Sequence, residues 1–236
     1  MSKESPSSSE RRSFLTRLNA GAASLAAMAV GGGALAHGKS AATAHWEPAR
    51  HDKDDWLDKL PGKHRLVFDT ITPDSLGEAL VFANNFMIVN RSDYGLENKD
   101  LAIVIVLRHR STPFAYNDAM WAKYGKELAA RTQFEDPKSK LAPATNVYNS
   151  ADYGPLLLNR GTTLDSLTKQ GVQLAVCSMA TRGLAGLIAQ AVGGKGDAIY
   201  DELVANLVSV GNARMVPAGI VAVNRAQERG YSLVSA

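Results

Sequence analysis

An α/β domain built on a parallel sheet is the fold class this sequence predicts, and three observations predict it. The run Leu101-Ala102-Ile103-Val104-Ile105-Val106-Leu107 is apolar without interruption, as a central parallel strand covered on both faces must be. From Lys63 onward, short strand-like segments alternate with segments of helical periodicity, which places parallel strands between helices on both sides. Between Gly171 and Gly186, an apolar, β-branched run ends in Cys177, and small and polar residues then open a helix. That stretch is a strand-to-helix turn with the chain's only cysteine at its apex.

Ahead of the domain lie two segments of different character. The 236 residues are 45% hydrophobic and 21% charged, enough for one core with additional segments. Residues 1–36 hold four cations against two carboxylates, so two of the three net positive charges belong to this segment. The remainder is nearly neutral and offers no electrostatic footprint for nucleic acid. Ser9-Glu10-Arg11-Arg12-Ser13-Phe14-Leu15, a mild apolar run from Leu18 to Val30, and Ala34-Leu35-Ala36 as a small-x-small cleavage pattern resemble a bacterial twin-arginine signal peptide. Glu10 and Thr16 stand where that signal more often has Ser or Thr and Lys, and a basic leader of the general secretion route is the other reading. Either places a mature protein beginning near His37 outside the cytoplasmic membrane, with the twin-arginine translocase as a transient partner.

Residues 37–62 read as a polar linker. Its histidines His37, His45 and His51 are spaced by eight and six, which matches no usual metal-ligand pattern. Trp46 and Trp56 are expected to tack part of it to the domain.

The domain elements follow in order. His64–Ile71 is a strand, and Thr72-Pro73-Asp74 starts a helix with Pro in its first turn. Leu76, Leu80, Ala83 and Met87 fall on one face of that helix. The apolar strand 101–107 leads into Arg108-His109-Arg110 and on to Tyr116 and Trp121, a polar and aromatic turn at the strand end where open α/β sheets bind ligands. A helix is expected from Asn117 to Arg131, then a poorly periodic connection over 132–162 with Pro137, Pro143 and Pro155. Thr163 caps a short helix, Leu164 to Gln170, before the cysteine strand. The helix after Cys177 runs to Val192 and is stopped by Gly193-Gly194. Asp197–Val210 is amphipathic, Arg214–Pro217 is a short strand, Ala218–Arg229 a helix and Gly230–Val234 a last strand.

The first N–H groups of a helix lack internal partners and favour an anion. A cysteine there, with Arg182 following in the first turns, is therefore placed to react as the thiolate. The plain alternative is a thiol that merely ends a buried strand, since free cysteines pack as small hydrophobes.

The Cys177-x4-Arg182-Gly183-Leu184 passage after a strand, together with the C-terminal run from Met215-Val216-Pro217 to Gly230-Tyr231, is similar to the DsrE/DsrF-like superfamily, over about Lys63 to Val234. The segment 111–162 is longer than in small members. That resemblance implies a three-layer α/β/α domain with a five-stranded, mainly parallel sheet, assembled as homotrimers or hexamers. It further implies that a cysteine matching Cys177 carries persulfide sulfur between a donor and an acceptor protein. Arg182 matches the family's arginine, and its anion-stabilising role is read from the helix-start geometry instead.

Three functions follow as expectations: a sulfur carrier at Cys177 with Arg182; a module of the same fold binding a small anion or acidic ligand through Arg108, His109, Arg110, Tyr116 and Trp121; and a structural oligomer subunit. Neither a metal nor a cofactor is expected. Of metal ligands only His109 suggests itself, and it has no identifiable second. No Walker loop, G-x-G-x-x-G or G-x-S-x-G occurs at the places that would give it meaning.

Overall fold

Among the described residues, five strands form one sheet: β1 (His64–Thr70), β2 (Leu101–Leu107), β3 (Gln173–Cys177), β4 (Ala213–Val216) and β5 (Ser232–Ser235). Their order is β4-β3-β2-β1-β5 and every neighbouring pair is parallel. The computed structural model describes residues 47–209 and 211–236. Seven α-helices among the described residues connect and flank the strands: α1 (Trp56–Lys59), α2 (Pro73–Tyr94), α3 (Asp118–Thr132), α4 (Leu164–Thr168), α5 (Ser178–Val192), α6 (Gly196–Ala205) and α7 (Gly219–Gln227). The twin-arginine-like segment, His37, His45 and Trp46 lie outside the described residues.

Local chemistry sets the helix ends. Thr72 and Ser75 form a reciprocal capping box with Pro73 in the first turn of α2, and Gly95 ends it in the left-handed region. Thr163 and Ser166 repeat the box on α4. Asn117 caps α3 by accepting from the Met120 N–H.

Strand alternation divides the core. Leu66, Phe68, Ile103, Ile105, Leu107, Leu174 and Val176 face the side covered by α2, α3 and α5. Val67, Ala102, Val104, Val106, Ala175 and Val216 face the other side, under Ala222, Val223 and Ala226 of α7, with Leu57 of α1 and Tyr231. The result is the three-layer α/β/α arrangement.

The expected linker ends earlier than residue 62. The compact unit runs from Pro48 to Ala236, and residues 52–60 close the second face of the sheet. The Leu57 carbonyl accepts from Arg65 Nη1 at 3.0 Å and from the Tyr231 hydroxyl at 2.8 Å, and Arg229 Nε donates to Asp58 at 2.9 Å. A sheet face with only α7 on it has apolar area to spare, and Leu57 is what fills it.

The connection 132–162 is also packed structure. Asn146 is buried, its amide donating to the carbonyls of Phe114 at 2.7 Å and Tyr116 at 2.9 Å. Tyr148 meets Phe114 edge to face with centroids 4.8 Å apart, and Tyr153 donates to Asp136 at 2.5 Å. The helix expected over 197–210 stops at Ala205 because the chain beyond it pairs with the turn before α3: Asn117 N–H donates to the Asn206 carbonyl at 2.9 Å, and Val208 N–H to the Ala115 carbonyl at 2.8 Å. Among the described residues, no helix is long and apolar enough to cross a membrane.

Candidate functional site

The register of the sheet brings three side chains together at its C-terminal edge. Thr70 pairs with Leu107 and Leu107 with Val176, so Arg108 continues β2 alongside Cys177, the last residue of β3. Alternation then puts Asp69, Arg108 and Cys177 on the same face, the one bearing Val67, Val106 and Ala175. Gly219 opens α7 on that face, and a Cβ there would collide with the Cβ of Arg108. A residue without a side chain is what lets the Arg108 stem pass under the helix start.

Arg108 is gripped by Asp69 in a two-pronged pair, Nε to Oδ1 at 2.6 Å and Nη2 to Oδ2 at 2.8 Å. Those bonds hold its guanidinium pKa above the ordinary value against the pull of desolvation, and the nearby Cys177 sulfur adds to the effect when ionised. The pair is partly buried, with side chains 26% and 12% exposed.

Cys177 is the N-cap of α5, and its Sγ accepts from the Ala180 N–H at 3.5 Å. It is 7% exposed. Its carbonyl accepts from the Thr181 hydroxyl at 2.9 Å, and that hydroxyl accepts from the Tyr116 phenol at 2.8 Å. The first turn of α5 is thus pinned from below. On the outer side, Met179 and Ile220, in the first turns of α5 and α7, are exposed.

The other expected site residues divide. Arg182 is turned to α6, 3.7 Å from Asp197 and with its guanidinium 4.1 Å from the centre of the Tyr200 ring. The cation set beside the thiol by the strand register is Arg108. Tyr116 and Trp121 are core residues and do not line an opening: burial pushes the Tyr116 phenol far above its ordinary pKa, and Trp121 stacks on Phe114 with centroids 5.1 Å apart. His109 and Arg110 do reach an opening, a groove also bordered by Arg131, on the α3 and α5 side of the sheet. Asp69 completes the site without a motif of its own to mark it, although strand alternation from Val67 to Asp69 and from Val106 to Arg108 puts both on one face.

Among the described residues no cluster of His, Cys, Asp or Glu could hold a metal ion. No family model matches the chain, nor does a curated protein or a solved structure match it.

Proposed function

We propose that this chain is an exported single-thiol sulfur carrier of the DsrE-like kind, working as a homo-oligomer, with Cys177 as the carrying residue. The observation that carries this reading is the position of Cys177: the start of a 15-residue helix at the C-terminal edge of a parallel sheet, with the Arg108–Asp69 pair beside it. Helix-start N–H groups and a neighbouring guanidinium both stabilise a sulfur anion. The paired arginines Arg11 and Arg12 and the Ala34-Leu35-Ala36 pattern support export.

In the loading step the Cys177 thiolate attacks the terminal sulfur of a polysulfide. A bond forms from Sγ to that sulfur, the adjacent sulfur–sulfur bond breaks, and the shortened chain leaves with the electron pair. In the unloading step an acceptor thiolate attacks the outer sulfur of the persulfide and releases the Cys177 thiolate. Arg108 neutralises the anion in both steps, and Asp69 keeps Arg108 from folding outward into solvent.

The test is to expose purified protein to polysulfide, remove the excess and read the intact mass, with Cys177→Ser as the control. Added sulfur on the wild-type chain alone, lost again on incubation with a small thiol, is the expected result. A wild-type mass unchanged by polysulfide overturns the reading.

A further inference from the structure

On the opposite side of the sheet from Cys177, a groove of about 540 Å³ runs between the turn after β2, the end of α3 and the outer face of α5. That volume is within the range of small-molecule sites. Its two guanidiniums, Arg110 and Arg131, make no ion pair among the described residues. Arg110 is held in place by Gln133, which accepts from Nη1, while its Nε is buried without a hydrogen-bond partner. Among the described residues the Nη2 group of Arg110 and the Arg131 guanidinium have no protein acceptor, so a ligand carboxylate would meet free charged donors on a cation already held in place.

The rest of the lining sets the ligand's charge and shape. Glu127 offsets one arginine, leaving one positive charge when His109 is neutral. His109 is pushed toward neutrality below its ordinary 6.5 by desolvation, then by Arg131, Arg110 and Arg108. Its backbone sits at φ +57°, in the left-handed region that a non-glycine residue seldom adopts. Ala130, Leu187 and Ala191 form the apolar wall, with Leu187 half exposed.

We propose that this groove binds a monoanionic amphiphile, a carboxylate carrying an apolar tail. The carboxylate is taken by Arg110 and Arg131, and the tail lies along Leu187 and Ala191 of α5. This site is independent of sulfur carriage, and neither reading needs the other.

The test is calorimetry on the full protein with decanoate below its micellar concentration, alongside decanol, acetate and inorganic phosphate. Decanoate is expected to bind roughly tenfold or more tighter than each of the other three, because each lacks the tail or the single charge. Arg131→Gln is expected to weaken decanoate roughly tenfold to a hundredfold with the thermal melt unchanged. In the wild type, decanoate raises the pH midpoint of the His109 imidazole signal, a readout that needs no variant. Decanol binding as tightly as decanoate, phosphate binding more tightly, no heat with any probe, or an Arg131→Gln variant of unaltered affinity each overturns the proposal.

Discussion

Replacing Asp69 by Asn removes the charge that orients Arg108 and so probes the geometry on which the thiol site depends. The carboxylate takes two short bonds from the guanidinium, and the side chains are 12% and 26% exposed. Removing one member of a fully buried pair costs about 3–5 kcal/mol, and exposed pairs are worth about 0–1 kcal/mol. With a quarter of the Arg108 side chain in water, screening brings the loss to roughly 2 kcal/mol, between those limits. Urea unfolding of Asp69→Asn, Arg108→Gln and the double variant measures it. The double variant is expected to lose less than the sum of the singles by about 1 kcal/mol or more, as residues in direct contact do. Arg108→Gln is also expected to slow iodoacetamide modification of Cys177 in the folded protein at neutral pH, which a merely structural pair would leave unchanged. Single losses that add to within about 0.3 kcal/mol would refute the argument that Asp69 positions Arg108.

Three further outcomes are expected. A Cβ at position 125 would overlap the Pro143 carbonyl oxygen, so Gly125→Ala should cost roughly 1–3 kcal/mol by overpacking, read by urea unfolding; no loss would mean that residues 136–146 do not lie against α3. Asp136 pays a desolvation cost that its bonds from the Tyr153 hydroxyl and the N–H groups of Lys138 and Ser139 outweigh, leaving its pKa below the ordinary 3.8. The unfolded chain therefore takes up this proton first, so the stability it supplies is complete above about 3.8 and disappears as pH falls through the lower folded value. Tyr153→Phe should lower stability at neutral pH by roughly 1.5–3 kcal/mol and narrow the difference between melts at neutral and acid pH. Changing Arg11 and Arg12 together to Lys should leave the precursor in the cytoplasm of a bacterial host that has the twin-arginine route, as fractionation and blotting would show; continued export would point to the general secretion route.

Most of the frame is written locally, which is why it can be read from the chain. Leu101–Leu107 needs no tertiary information to be a buried strand, Thr72 and Pro73 start a helix by capping chemistry, and Gly193-Gly194 follow its counterpart after Cys177. Cys177 at the strand-to-helix turn is legible for the same reason. What escapes is decided by partners distant in sequence. Leu57 reads as part of a polar stretch until a half-covered sheet face gives it something to cover. Asn206 to Ser209 keep helical periodicity, yet bonds to Ala115 and Asn117 draw them out of the helix. Tyr116 and Trp121 read as part of a polar turn, yet Tyr116 bonds to Thr181 of α5 and Trp121, inside α3, stacks on Phe114. The connection 132–162 holds Phe114 through Tyr148 and Asn146 despite its lack of periodicity. Nearness in sequence offers Arg182 as the cation at the thiol, while the sheet register supplies Arg108 from a different strand.

The sulfur-carrier account stands on whether the native fold lets a reagent reach the Cys177 sulfur. If that sulfur is reachable only through global unfolding, its alkylation is slowed relative to the unfolded chain by the unfolding equilibrium constant, about 10³–10⁸-fold for a small domain. Iodoacetamide labelling followed by intact mass across sub-denaturing urea measures this directly. The account predicts labelling of the native protein slowed well under ~10³-fold, at a rate flat in urea until the unfolding transition. Labelling that rises with urea in step with global unfolding, and vanishes when extrapolated to water, would contradict it.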